Sequence, residues 1–510
     1  MTKASPSPPS HTRNIRATSL ALLSASVVSF LFTPYLLYQL QDTRFGIWAL
    51  LNTIFGVSGL IDLGLRSSFE QRLARAWHRG KPHYINVTYA TGRFITLKIS
   101  SWIAITTSVA AASTLFANWI PEDVRFEVFL AIVAFGLELS LTFRFFSYAA
   151  LMSVMRRFDI IGNLSLFDVI GTTTTTLVCV TFTNNIGILA IAFVTPRIIS
   201  KLFMRSIATS KFNCKVTPVT SSRLTKIFLQ RGFLKFAASA SYKVIGQIDT
   251  LTVFATCSIA SVAPYSLGAS LAARLKQVQD CYKQSLNGEL LRLVSKKQEA
   301  ELRELVFSAT RYALLIILPL ATVSMLYAES FFELWISDSP AVLASKPSTI
   351  YCILAFYAAT VVCTTPMTDA AVAYEKHAAI AKFCAFEAAV NLLLSIVLGL
   401  RFGMCGVAYA TIIACFLVHV PSRILLASHV LSVPFTTILH KSCMKPAACL
   451  LAFTPALVIT KNTLPDSQWG HLIIAGIVTQ LIWLTLALSL GLKEHERKML
   501  LVKAVSFSWK

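Results

Sequence analysis

Apolar residues in this chain run in blocks of about twenty, and polar residues are confined to the short gaps between them. A hydrocarbon core of roughly 30 Å is crossed by about 20 residues of helix, and the uncharged run 17–41 meets that length by itself. Fourteen such stretches follow one another, at 17–41, 45–65, 92–117, 126–152, 160–183, 186–208, 233–256, 259–283, 305–330, 348–372, 378–400, 403–427, 442–461 and 469–492. The pattern predicts an all-α polytopic membrane protein with about 14 transmembrane helices and leaves no soluble domain of useful size. Residues 1–16 form a Pro/Ser-rich basic tail, and no small-residue cleavage site precedes a polar region after the first apolar run. That run reads as an uncleaved signal anchor.

Charge fixes the topology. Lys and Arg concentrate in cytoplasmic loops close to the spans, and the alternate gaps hold 29 of them against five on the other side, namely Arg44, Arg125, Lys346, Arg401 and Lys461. Only an even number of spans with both termini inside gives that asymmetry. It also accounts for most of the net charge of +22, so nucleic acid is not needed as a partner. Trp119, Trp335 and Trp469 fall at outer ends and Trp77 and Trp509 at inner ends, as interfacial aromatics do. A hydrophobic fraction of 55% and a mean hydropathy of +0.65 agree.

Several chemistries drop out. Eleven cysteines are scattered without CxxC or His/Cys spacing, most of them inside spans, where they read as small apolar residues rather than metal or redox ligands. No nucleotide-binding glycine motif is present, so ATP bound to this chain does not drive it. Outer loops are short and offer no domain for catalysis; the chain is not expected to be an enzyme. Among the inner loops, Asn287 to Glu304 alternates leucine pairs with Lys and Glu, which fits either an amphipathic helix on the inner membrane face or a solvated extension of the eighth span.

An internal repeat appears at an offset of 219 residues. Asp168 falls on Glu387, Arg157 on Lys376, and Asn185-Ile186-Gly187-Ile188-Leu189-Ala190 on Met404-Cys405-Gly406-Val407-Ala408-Tyr409. At nearly the same offset, Phe45-Gly46-Ile47-Trp48 lies opposite Ala263-Pro264-Tyr265-Ser266. The expected organisation is a cytoplasmic tail (1–16), a six-helix bundle (17–210), a cytoplasmic linker (211–231), a second six-helix bundle (232–428), two further transmembrane helices (429–492) and a cytoplasmic tail (493–510). Two such bundles in the same orientation would enclose a cleft.

Eight charges fall near mid-span: Glu138, Arg144, Asp168, Arg197, Lys243, Asp249, Arg274 and Glu387. Each would cost roughly 2.5–3.5 kcal/mol facing lipid, so they should face a wet cavity or one another. Structural salt bridges between helices are one reading. A transport path is the other, and polar contacts between membrane helices contribute only about 0.6 kcal/mol on average, too little to explain their retention. Lys98, Lys201, Arg205, Arg311 and Asp369 lie nearer the inner surface, where long side chains snorkel, and weigh less. Five threonines, Thr172 to Thr176, should bond their own backbone and bend the fifth span. Prolines 34, 196, 319, 366 and 421 should kink or hinge their helices.

Phe45-Gly46-Ile47-Trp48, Leu60-Ile61-Asp62-Leu63-Gly64-Leu65, Gln247-Ile248-Asp249, Tyr265, and the run from Glu387 and Asn391 to Gly403 and Gly406 resemble the polysaccharide transporter (oligosaccharide flippase, O-antigen flippase-like) family of the multidrug/oligosaccharidyl-lipid/polysaccharide exporter superfamily. The likeness runs over essentially the whole chain, although Phe45 stands where Tyr is frequent and Ala263-Pro264 where a Gly is more usual.

The resemblance implies a flippase for a polyprenyl-pyrophosphate-linked oligosaccharide, an O-antigen, capsule or exopolysaccharide repeat unit, in the bacterial cytoplasmic (inner) membrane. Such a head group is anionic. Arg144, Arg197, Lys243 and Arg274 would then bind substrate, and Glu138, Asp168, Asp249 and Glu387 would serve coupling or gating. No cofactor or metal is implied; H+ or Na+ is the candidate coupling ion. Membrane lipids are partners, and a polysaccharide polymerase or glycosyltransferase is a candidate contact for the inner loops. An ion-coupled small-molecule or multidrug antiporter and a peptidoglycan-precursor flippase of the same superfamily remain as alternatives.

Overall fold

The structure is a computed structural model of the chain, and it describes residues 11–58, 69–70, 72–77, 82–117, 120–155, 157–212, 220–226, 228, 247–277, 280–463, 468–492 and 496. Leu60 to Leu65 and Lys243 lie outside the described residues. Helix is the only regular structure among those described, and nine helical stretches there are long and apolar enough to cross a membrane.

Helices follow in the order α1 (His11–Ser58), α2 (Pro82–Thr114), α3 (Arg125–Val154), α4 (Phe158–Phe182), α5 (Ile186–Phe212), α6 (Ile259–Gln277), α7 (Asp280–Ser295), α8 (Glu299–Leu326), α9 (Ala328–Trp335), α10 (Pro340–Ala344), α11 (Pro347–Ala373), α12 (His377–Ala414), α13 (Val420–Leu431), α14 (Phe435–Thr463) and α15 (Trp469–Leu486). Residues 247–256 are also helical. Two of these helices each hold two of the expected spans. α1 breaks at Gln41 (φ 58°, ψ 179°) and α12 at Gly403 (φ 63°, ψ −151°), at the gaps where the hydropathy pattern divides.

The chain forms two compact units, 1–247 and 248–510. In the first, α3 is the central helix, packed by α2, α5 and α1. In the second, α11 is central and packs on α6, α8, α12 and α13. α11 does so with a buried file of small residues, including Ala355, Ala358, Ala359, Ala370 and Ala371, which lets backbones approach closely where no hydrophobic drive favours association. Outward positions such as Leu393, Val397, Leu451 and Leu481 are exposed apolar side chains, suited to hydrocarbon.

The 219-residue offset extends to the helix ends. α3 ends at Val154 and α11 at Ala373; α4 begins at Phe158 and α12 at His377; α5 ends at Phe212 and α13 at Leu431. The turn at 183–185 between α4 and α5 corresponds to the break at Gly403. Pro196, inside α5, corresponds to Cys415, the first residue of a π-helical turn (Cys415–His419) that joins α12 to α13. Pro421 follows that turn. A proline cannot donate to the carbonyl four residues earlier and crowds it, and the wider turn gives it room.

α7 is a separate helix ending at Ser295, before a left-handed Lys297, with Leu291 exposed and other leucines buried by protein. Leu286, Leu290 and Leu293 pack on Leu302, Phe307, Met367 and Ala370, while Lys283 lies 3.9 Å from Asp369.

The break in α12 depends on bare backbone. A Cβ on Gly406 would run into the carbonyl of Leu398, and one on Gly399 would sit 2.8 Å from Thr256 Oγ1. Gly406→Val should therefore lower the thermal midpoint of the detergent-solubilised chain by the equivalent of about 2 kcal/mol or more. Gly470→Ala, which meets open space, should be neutral. Equal midpoints for the two variants would refute this account of the break.

Candidate functional site

Two groups of polar side chains are buried within the apolar helices, one in each unit. In the first unit, Glu138 comes from α3, Asp168 from α4, and Arg197, Ser200 and Lys201 from one turn of α5. Glu138 pairs with Lys201, and Thr142 Oγ1 adds a donated bond to its carboxylate at 3.3 Å. Asp168 stands beside Ser200, with Lys201, Arg197 and Glu138 around it, and its Oδ1 has no hydrogen-bond partner. The Arg197 guanidinium lies 4.1 Å from the Phe193 ring centroid. That ring is itself braced edge-on by Trp48 at 5.3 Å, so Arg197 rests on an aromatic wall with its charge toward both acids.

The threonine run bonds its own backbone in part, while the buried Thr176 Oγ1 has no partner. Thr172, Thr173 and Thr175 donate to backbone carbonyls one turn back, at 2.5, 2.7 and 2.8 Å. Thr175 also reaches the Ala192 carbonyl of α5 at 2.7 Å, which fixes the register of α4 against the helix that carries the bases.

A separate lock lies at the opposite end of this unit. Arg44, three residues past the break in α1, donates Nε and Nη2 to the Glu127 carboxylate at 3.3 and 3.1 Å. The same carboxylate accepts the backbone N–H of Ile186 at 3.0 Å and thereby caps α5. One carboxylate thus ties α1, α3 and α5.

In the second unit, Asp249 is 4% exposed and accepts from Asn391 Nδ2 at 3.0 Å and from Thr411 Oγ1 at 2.8 Å. Tyr265 and Lys276 stand next to it. Ser395 donates to Asn391 Oδ1 at 3.3 Å, and Thr411 also reaches the Val407 carbonyl at 3.3 Å. The Asp249 carboxylate is thus held by an amide N–H and a hydroxyl from α12, with the Asn391 and Ser395 oxygens behind them. Among the described residues, no group of three or more His, Cys, Asp or Glu is placed to hold a metal ion.

One turn earlier on α12, Glu387 Oε2 is 3.0 Å from His419 Nδ1, and His419 Nε2 is 3.0 Å from Thr364 Oγ1. Lys276 faces both Asp249 and Glu387, and its ammonium lies 4.1 Å from the Tyr357 ring centroid. Arg423 is 1% exposed and donates Nη2 to Cys384 Sγ at 2.8 Å, while its Nε and Nη1 have no partner.

The four acids expected at mid-span thus all sit in these two groups, two in each unit. The bases do not follow suit. Arg197 is placed beside acids, and Lys243 lies outside the described residues. Arg144 is exposed, because six residues beyond Glu138 it points roughly 120° away round α3. Arg274 is partly exposed on α6, and Lys276, two residues on, is the cation that faces the acids. Lys201, read as a snorkelling residue, is instead the partner of Glu138. The sequence reading also passed over Thr364, Thr411, His419 and Arg423. Of these, the ionisable His419 and Arg423, lying within an apolar span, were open to detection from the sequence.

No family model and no curated protein matches this sequence. Solved structures do. Lipid II flippase MurJ in an inward closed conformation matches at 14% identity over 92% of this chain and 97% of its own, with a TM-score of 0.69. An inward-facing multidrug resistance MATE family transporter of the MOP superfamily matches at 12% identity over 82% of this chain and 98% of its own, with a TM-score of 0.63. A Vibrio cholerae MATE transporter, VcmN, matches at 16% identity over 85% and 97%, with a TM-score of 0.57. At these identities the shared property is the fold. With its series of apolar helices, the chain is a multi-pass membrane protein that has the fold of MOP superfamily transporters.

Removing Lys201 alone takes from the half-buried Glu138 its direct ion-pair partner. Lys201→Met should therefore lower the melting midpoint of the purified chain more than the double variant Lys201→Met/Glu138→Gln does. A double variant as unstable as the single one would mean that the pair contributes nothing.

Proposed function

We propose that this chain is a flippase that moves a polyprenyl-pyrophosphate-linked oligosaccharide, an O-antigen, capsule or exopolysaccharide repeat unit, from the cytoplasmic to the outer leaflet by alternating access. In this reading it lies in the bacterial cytoplasmic membrane with both termini inside. The observation that carries the reading is the added helix α15. It forms an apolar groove of about 660 Å³ against α8, lined by Leu315, Pro319, Ile473, Ile477, Leu481 and Trp483. Trp483 Nε1 donates to the Leu315 carbonyl at 2.8 Å and holds the groove wall in place. A water-soluble drug has no use for a lipid-facing apolar groove; the chain of a lipid-linked substrate does. The wider span of the flippase likeness, 92% of the chain against 82% for the inward-facing multidrug transporter, supports the same choice.

Arg197 is the base assigned to the anionic head, since its charge is buried, oriented by Phe193 and balanced by acids that can exchange it. Arg144 and Arg274 are assigned to the glycan or head group through their exposed atoms, and Lys243 keeps its assignment from the sequence. Glu138 and Asp168 release Arg197 and Lys201 to substrate and take them back. Asp249, with Asn391, Thr411 and the Val407 carbonyl, binds the coupling cation, H+ or Na+.

A peptidoglycan-precursor flippase is the second reading, favoured by the likeness to the lipid II flippase; its substrate is also a polyprenyl-pyrophosphate-linked saccharide. Leaflet sidedness in cells depleted of the protein separates the readings. Complete oligosaccharide retained on the inner leaflet, with no polymer outside, is expected. Retention of the peptidoglycan precursor in its place favours the second reading, and normal outward movement of both leaves the small-molecule antiporter. Arg197→Ala and Asp249→Asn should each cut export at least about tenfold, the equivalent of one charge-assisted hydrogen bond, at unchanged membrane levels. Unchanged export by both variants would overturn the site assignment.

A further inference from the structure

The acid at the α4 position of the repeat has different company in the two units. Asp168 and Glu387 are 219 residues apart, and so are the residues beside them, Ser200 and His419. Around Asp168 the cations are permanent, Arg197 and Lys201. The corresponding positions in the second unit are Phe416 and Val420, which carry no charge, while the hydroxyl of Ser200 is replaced by the imidazole of His419. One unit thus surrounds its acid with fixed charge, and the other gives it a partner whose charge can change.

The surroundings of His419 are built for that change. Both side chains of the pair are nearly fully buried, at 2% exposure for Glu387 and 3% for His419. His419 ends the π turn, a wide turn that recurs at functional sites in helices. Its Nδ1 is held by the carboxylate and its Nε2 faces the Thr364 hydroxyl. Thr364 Oγ1 is also 3.0 Å from the Val361 carbonyl. With the ring neutral, the hydroxyl hydrogen points to Nε2. With the ring protonated, Nε2–H donates to the hydroxyl, whose hydrogen swings to the Val361 carbonyl. Both protonation states are fully hydrogen-bonded, and only a hydroxyl rotates between them.

The charged and titratable groups facing the pair are Lys276 from α6, Cys415 from the π turn, Cys384 from α12, and Arg423 from α13 through Cys384; Asp249 lies beyond Lys276. Two carboxylates and two permanent bases balance when the ring is neutral, so a proton on His419 changes the net charge of the group.

We propose that Glu387 and His419 form a proton-binding site of the second unit, separate from the Asp249 cluster, with the Thr364 hydroxyl as the partner that accommodates both protonation states of the ring. Its link to transport rests on the transporter reading above; the proton site itself does not.

Two measurements on the full chain in lipid nanodiscs test it without any substrate. Potentiometric titration from about pH 8 to 5 should show His419→Gln taking up about one proton fewer per chain than wild type. Exchange of the imidazole C2 hydrogen at His419, followed by mass spectrometry on the wild type, should change sigmoidally across the same range and needs no variant to fold. Equal proton uptake in the titration, or an exchange rate at His419 that does not vary with pH, overturns the site. Flipping of lipid-linked oligosaccharide by proteoliposomes should then lose its pH dependence in His419→Gln. A wild type that titrates at His419 but moves no oligosaccharide would sink the flippase reading and leave the proton site standing.

Discussion

A carboxylate inside a hydrocarbon slab has no water to bind, and the rest of this structure follows from how that debt is met. Glu138 is closed by Lys201, Asp249 by Asn391 and Thr411, and Glu387 by His419. Each closure joins side chains from different spans, so each also fixes which turn of one helix faces which turn of the next. Apolar packing in lipid is nearly indifferent to sliding, because tails and leucines are alike. Register in both units is therefore set by a few polar contacts, helped by the close approach of small residues along α11.

The helix breaks belong to the same logic. A regular α12 would carry Asn391 and Thr411 along one rod. The break at Gly403 folds the chain back instead, so that Thr411 and Asn391 meet the same aspartate. The left-handed backbone at Gly403 and the missing Cβ at Gly406 are what that reversal requires. The π turn does the equivalent for His419 by advancing the helix face before Pro421. At Gln41 a non-glycine residue takes up the left-handed conformation, and the two hydrogen bonds of Arg44 to Glu127 just beyond it offset the strain.

Hydropathy alone located the helices, because span length is imposed by the bilayer and every loop had to be polar. The acids were legible for a related reason: an ionisable residue in a span is expensive and must be placed. Partners were less legible. Depth along the sequence put Lys201 near the surface, yet a four-carbon stem can reach a full turn inward as easily as outward, and it turns toward Glu138. Depth also promoted Arg144, whose position round α3 rather than along it decides its exposure. Neutral donors such as Thr364, Asn391 and Thr411 leave no trace in a hydropathy or charge pattern, although they complete the second unit's group. The breaks fall in the hydropathy gaps, where glycine or a paired arginine makes the turn tolerable.

The repeat sharpens the contrast between the units. Helix ends and breaks recur at one offset, while the second unit has a π turn where the first has Pro196, and the side chains around that segment differ as well. The first unit keeps Arg197 and Lys201 where the second has Phe416 and Val420, and it has no histidine at the place of His419. Permanent bases held by acids suit the capture and release of an anion, since the exchange is one carboxylate for another oxyanion at constant protein charge. Oxygen donors and a titratable pair suit the reversible uptake of a small cation, since the protein's own charge is then the variable. On the proposed reading, one unit is equipped for the substrate head and the other for the ion that drives it.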